Sequence, residues 1–510
     1  MPTRLLASVA LAFSVSVSVV AAEGAAFRVT LASSARAEPA RGRLIVFVVR
    51  EDSKVPAKAE PVDGPFWGDP QPLFGRDVAL APGEAALVDG GADGFPIRAS
   101  ALAVGKYRAQ ARLDLAELDS DWRREPGNLW SDAVAFEIAA GAGAPTVELA
   151  LTHVVEKETP PVVEGVEWFE LRSELLSRFR GHDVFLHAGV VLPKDYDAKR
   201  RYPALYEVPG FGGNHLGAAR KRRGDEGAAA ELARDSFRIV LDPEGPNGHT
   251  LFADSANNGP CGAALVKELI PALEQRYPLI PQASARVLRG HSSGGWSTLW
   301  LALTYPEVFG ATWSSSPDPV DFRRFQCVDV YGQPNFYTDA KGADLPSLRS
   351  AGAVTMTIRQ ESRGEDVLGP DNTSGQQWDS WFAVFGPKNE RGHPTALFDP
   401  ETGAIDAAVA KSYRAFDLGE LVRKDPARLV PLFRERVRLI VGTEDSFYLN
   451  EAVALLDQEL AKSKREPSDA GYVKLVPGDH GSVFASEAMR AIPDEMLAHL
   501  RKSGHAPAGN

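Results

Sequence analysis

The chain has 510 residues, 44% of them apolar and 24% charged, ordinary values for a soluble globular protein rather than a disordered or membrane-spanning one. At roughly 150 residues per domain it is long enough for two folded units. A formal net charge of −12 opposes binding to phosphate backbones, which needs clustered Lys and Arg, so nucleic acid is not an expected partner.

Residues 1 to 22 place Arg4 ahead of an apolar run from Leu5 to Val20, then a small-residue end, Val20-Ala21-Ala22. That is the layout of a secretory signal peptide. Serines interrupt the run, which falls short of the ~20 strongly apolar residues of a membrane span, and no Cys follows it to carry a lipid. The expectation is an exported protein, periplasmic or extracellular, without stable membrane insertion. Cys261 and Cys327 are the only cysteines, too few for a disulfide scaffold but compatible with one bridge. The ten histidines make no metal-ligand spacing, so neither a metal nor a cofactor is expected.

From about 23 to 155 the sequence alternates short β-like runs, among them Arg43 to Val49, Tyr107 to Leu113, Val134 to Ile138 and Val147 to Leu151, with Gly/Pro-rich turns. Strands at this spacing predict a small all-β, sandwich-like domain. Residues 156–165, with Pro160-Pro161, read as a linker. From 166 to 505 strand and helix patterns alternate, which predicts an α/β domain with a mostly parallel sheet and flanking helices. Its first strands, Val166 to Arg172 and Val184 to Leu192, are expected to join through a turn at Arg180-Gly181. The one basic run, Arg220-Lys221-Arg222-Arg223, is followed at once by Asp225 and Glu226 and reads as solvated. Residues 321–436 are too long for a single crossover and are expected to form an insertion beside the site.

Gly290-His291-Ser292-Ser293-Gly294 fits Gly-x-Ser-x-Gly between a strand-like and a helix-like segment. This is the setting of a nucleophile elbow, where a strained turn lifts the Ser hydroxyl and leaves room only for small neighbours. A serine needs a base and a group that orients the base, in the order Ser, acid, His. Asp445, just past the strand Val437 to Val441, is the first candidate for the acid; Glu444, Asp318 and Asp321 are alternatives. His480, on the loop after the last strand, is the candidate base. Donors for a developing oxyanion are expected at the Ser293 N–H and in Pro209-Gly210-Phe211-Gly212-Gly213, at Phe211 or else Gly212.

Together these residues resemble the esterase family that includes S-formylglutathione hydrolase (esterase D), enterochelin esterase, feruloyl esterases and the antigen 85 mycolyltransferases. The resemblance covers roughly Val166 to Leu500 and rests on Tyr206 to Gly213, Asp254 to Pro260, Gly290 to Gly295 and the Asp445 and His480 loops. Many members have His-Gly where this chain has Pro209-Gly210. It implies an α/β-hydrolase fold and a serine esterase with a Ser292-Asp445-His480 triad, and a β-sandwich ahead of it is similar to the enterochelin esterase arrangement.

Loops at the C-terminal ends of parallel strands form the site in such sheets, so Asp242 to Thr250, Asp254 to Pro260 and the insertion are expected to line it. Gly212, Asp254, Trp378 and Trp381 are candidate substrate contacts, although the helical spacing of Trp378, Trp381 and Phe385 also suits a core. The expected substrate is a small-molecule or polysaccharide-linked ester. An acyltransferase, a peptidase and a non-catalytic exported binding protein are the competing readings.

Overall fold

The computed structural model describes residues 24–64, 69–115, 121–220 and 226–506. The signal-peptide reading of residues 1–22, and Lys221 to Arg223 of the basic run, lie outside the described residues.

Nine strands between Ala26 and Val154 belong to one hydrogen-bonded sheet. The short strand Leu129–Ser131 pairs with both Gly105–Asp114 and Thr146–Val154, and it joins two halves that close on each other. Phe27 from one half stacks on Phe74 of the other at 5.8 Å and meets Phe136 edge-on at 5.7 Å. The sandwich-like expectation is thus realised as a single sheet curled over one core. The strand Ala40–Arg50 is apolar on both faces for a reason. Leu44, Val46 and Val48 enter that core, while Ile45 and Phe47, alternating with them, pack outward against the rest of the chain.

The second sheet has eight strands in the spatial order Val166–Arg172, Phe185–Val191, Phe237–Leu241, Ala204–Val208, Arg286–His291, Ala311–Ser315, Val437–Gly442, Tyr472–Val476. The first two join antiparallel, as does the second to the third, and every later pairing is parallel. The parallel strands carry apolar residues on both faces because helices cover both. Tyr206, Ile239 and Leu288 pack with the helical segment 261–276, and Leu205, Val287, Trp313 and Ile440 with Leu232, Ile492, Met496 and Leu500. This is the α/β sheet expected from the alternating pattern. One connection differs. Between the first two strands runs the helix Glu174–Arg180, capped by Ser173 Oγ accepting from Leu176 N and ended by Gly181 at φ 80°. Its seven residues are too few to display a period.

Between Ser315 and Val437 the chain adds a hairpin, Pro346–Ser350 with Ala353–Thr357, a 3-10 turn and five α-helices. Their aromatic core, built on Phe325, Phe336, Trp378, Trp381 and Phe385, is continuous with Trp296. The insertion also docks the N-terminal sheet. Leu348, Met356, Val367 and Leu368 close over Ile45, Phe47 and Phe95, and buried Arg43 donates from Nε to Val367 O at 3.0 Å while pairing with Asp93 at 2.6 Å. Cys261 and Cys327 are free thiols. Among the described residues no helix is long and apolar enough to cross a membrane, and no group of His, Cys, Asp or Glu could hold a metal ion.

Candidate active site

The strand Arg286–His291 runs into the helix Ser293–Thr304 through Ser292, whose backbone takes φ 58° and ψ −129°. A non-glycine residue there is strained and persists only where its surroundings impose it. They do so here: Ser292 N donates to Ser315 O at 3.0 Å, and Ser292 O accepts from Trp296 N at 3.0 Å and Asp318 N at 3.3 Å. A Cβ at Gly290 would overlap the Gly294 carbonyl, and one at Gly294 would overlap the carbonyls of Val208 and Pro209. The glycines therefore let the turn lie against the neighbouring strand end.

His480 Nδ1 is 2.9 Å from Asp445 Oδ2, and Asp445 is fully buried. Its other oxygen accepts from Phe447 N at 3.0 Å. A neutral imidazole donating from Nδ1 leaves Nε2 as the basic nitrogen. The ring is held between His291, at 4.5 Å between centroids, and Phe447, edge-on at 4.9 Å. Burial, then the neighbouring His480 and Arg289 charges, keep His291 well below its usual pKa, so it stays neutral beside the His480 ring. No hydrogen bond joins Ser292 Oγ to His480 among the described residues; catalytic contacts in unliganded enzymes are commonly long and tighten with substrate.

Gly213 N donates to Gly210 O at 3.0 Å, closing a turn with Gly212 at φ 72°. A Cβ on Gly210 would stand 3.3 Å from Ser292 Cβ, so this loop lies directly against Ser292. Among the described residues Phe211 N makes no backbone hydrogen bond there, and Ser293 N begins a helix, where the first N–H groups lack intrahelical partners. Sequence reasoning missed what holds the loop. Buried His249 accepts from Leu251 N at Nδ1, 3.1 Å, and therefore donates from Nε2 to Pro209 O, 3.0 Å. Burial lowers its pKa to about 4, which keeps it a neutral single donor.

The alternative acids are engaged elsewhere. Glu444 is exposed and pairs with Arg349 at 3.3 Å; Asp321 is bound by Arg323 and Arg423. Asp318 is buried, its pKa pushed up to about 6 chiefly by desolvation, and accepts from Trp381 Nε1 at 2.8 Å. Trp381 and Trp378 are 3% and 1% exposed, so the expected substrate contact gives way to the core role: their helical spacing faces both into the aromatic cluster. Asp254 is exposed. Its carboxylate accepts from Ala263 N at 3.0 Å in the first turn of the helix after it. Arg349, on the insertion hairpin, carries no sequence signal of its role; its Nε donates to Asp445 O at 2.9 Å and braces the acid loop.

Phe211 and Gly212 line a cavity of about 760 Å³ that includes Asp242, Glu244 and Thr250 from the expected loop, Gln376 from the insertion, and Trp122 and Arg124 from the N-terminal sheet. They also line a second groove, of about 830 Å³, that reaches His291, Ser315 and Phe484. The two cavities meet at the loop that touches Ser292.

No curated protein matches the chain. Among solved structures, a ferulic acid esterase is similar at 14% identity, TM-score 0.39, over 65% of this chain and 97% of that one. An S-formylglutathione hydrolase from Agrobacterium tumefaciens is similar at 14% identity, TM-score 0.37, over 67% and 98%. A ferulic acid esterase from Anaeromyces mucronatus follows at 12%, TM-score 0.33, over 66% and 93%. The family model described as "Putative esterase" matches residues 185–483, more than half of the chain and the whole span from the second strand of the parallel sheet to the His480 loop, and the chain belongs to that family of carboxylic-ester hydrolases.

Proposed function

We propose that the protein is an exported serine esterase in which Ser292, His480 and Asp445 act as nucleophile, base and orienting acid. Ser292 Oγ attacks the ester carbonyl as His480 Nε2 takes its proton, and the oxyanion of the tetrahedral intermediate is met by the N–H groups of Phe211 and Ser293. The protonated His480 then gives its proton to the leaving alcohol. Water repeats the sequence on the acyl-enzyme and frees the acid. The observation that carries this reading is the strained Ser292 backbone beside a His480 whose Nδ1 is 2.9 Å from buried Asp445. Export is inferred from the pattern of residues 1–22 alone. The substrates are small-molecule or polysaccharide-linked carboxylic esters.

The test is hydrolysis of 4-nitrophenyl acetate and butyrate with fluorophosphonate labelling. The parent protein is expected to turn over and to label at one residue. Ser292→Ala, folded by circular dichroism, is expected to lose labelling and at least about 10³-fold in kcat, since losing the nucleophile removes the covalent route. Undiminished turnover in that variant would reject the assignment.

A further inference from the structure

The groove of about 830 Å³ beside the Phe211–Gly212 turn has an unusual charge for this chain. Arg124, Arg220, Arg238 and Arg289 line it against Glu158 and Glu207, an excess of positive charge in a protein whose net charge is −12. The strand registers explain how it arises. Glu207 and Arg289 are register partners on adjacent parallel strands, yet both Glu207 oxygens are taken by Arg238 from the other side, at 2.9 and 2.8 Å. Arg289, half-buried two residues before His291, makes no hydrogen bond or ion pair among the described residues, and its charge is felt by His291. Arg124 comes from the N-terminal part of the chain. Its Nε donates to Asp121 at 2.6 Å and its charge also feels Glu244 and Asp242 of the larger cavity, while among the described residues its two terminal nitrogens make no hydrogen bond at the point where this groove meets that cavity. A half-buried guanidinium without a counter-charge costs free energy unless a ligand supplies one. The fork geometry of arginine suits a carboxylate.

We propose that this groove is a subsite for a carboxylate carried by the ester substrate, bound by Arg289 with Arg124 at its mouth. The inference rests on ester hydrolysis at Ser292 and adds to it the charge class of the substrate. The groove reaches Gly210, which lies against Ser292, and His291, the residue before it, so a carboxylate held there is carried by the molecule whose ester reaches Ser292. The N-terminal sheet then contributes to specificity directly, through Arg124.

Two matched pairs of esters test this. Mono-4-nitrophenyl glutarate against 4-nitrophenyl butyrate places the carboxylate on the acyl side; 3-acetoxybenzoate against phenyl acetate places it on the leaving side. The anionic member of one pair is expected to have about tenfold the kcat/KM of its neutral partner, the range of a charge-assisted hydrogen bond, and the preference is expected to shrink as salt rises. Arg289→Glu is expected to abolish or invert that ratio, with Arg289→Met as the second variant should the first fail to fold, and Arg124→Ala to reduce it severalfold. A ratio at or below one in both pairs, or one that the Arg289 variants leave unchanged, overturns the subsite. Failure to hydrolyse even the neutral esters would strike the esterase reading instead, and the subsite would then be decided by calorimetry: glutarate binding to the parent protein and not to Arg289→Glu supports it, and no binding to either overturns it.

Discussion

At the scale of single residues, the Pro209–Gly213 loop is the most sensitive part of the site. In the proposed mechanism its donor stands where charge develops, and displacing an oxyanion donor typically costs about 10²–10³ in rate. His249 fixes that loop through one hydrogen bond to Pro209 O, with its tautomer set by Leu251 N. His249→Ala is expected to lower kcat by about 10- to 100-fold with KM nearly unchanged, because transition-state rather than ground-state contacts are lost. His249→Asn, which can still donate, is expected to recover part of the loss. A kcat equal to the parent's in His249→Ala would show that the loop holds itself.

At the scale of elements, the insertion owes a pH dependence to its buried carboxyls. Glu361, Glu365 and Asp379 lie within adjoining helices and are almost wholly buried. Desolvation raises Glu361 and Asp379 to about 7, and desolvation with the charges of Asp379 and Glu361 raises Glu365 well above the usual carboxylate range. Their hydrogen bonds are only a partial offset: Ser347 donates to Glu361, Ser374 N to Asp379 at 2.9 Å, and Trp378 N to Glu365 at 3.0 Å. In the unfolded chain such groups titrate near about 4. Between about pH 4 and 7 the folded state therefore binds more protons than the unfolded state, and this contribution to stability, full below about pH 4, is lost as pH rises through about 7. The melting temperature is expected to fall from pH 5 to 8 less steeply in Glu361→Gln than in the parent protein. Identical slopes would show that Glu361 is ionised throughout.

At the scale of the whole molecule, the N-terminal sheet is bound to the hydrolase by a shared core. Ile45 and Phe47 occupy the outer face of the strand Ala40–Arg50, whose inner face belongs to the sheet's own interior, so one strand stabilises both. Phe47→Ala is expected to cost about 3–5 kcal/mol, the usual range for a buried aromatic replaced by alanine. Calorimetry is expected to show one cooperative transition in the parent protein and a lower, broadened or split one in the variant. Two separate transitions in the parent would mean that the interface contributes little.

The order of the sheet's strands, the elbow at Ser292 and the places of Asp445 and His480 are legible in the sequence, because each depends on short-range chemistry. Alternation marks strands, glycine marks turns with no room for a side chain, and catalytic order follows strand order. Glu444 could not be set aside in that way: two adjacent carboxylates differ only in which one the fold turns inward to His480 and which one it leaves to Arg349. Trp378 and Trp381 could not be assigned either, since helical spacing fixes a face but not what that face meets. His249 holding Pro209, Arg349 bracing the Asp445 loop and Arg238 taking both oxygens of Glu207 join residues 40, 96 and 31 positions apart. Such contacts carry no periodic or local signal, and only the packing of strand against strand and loop against loop decides them.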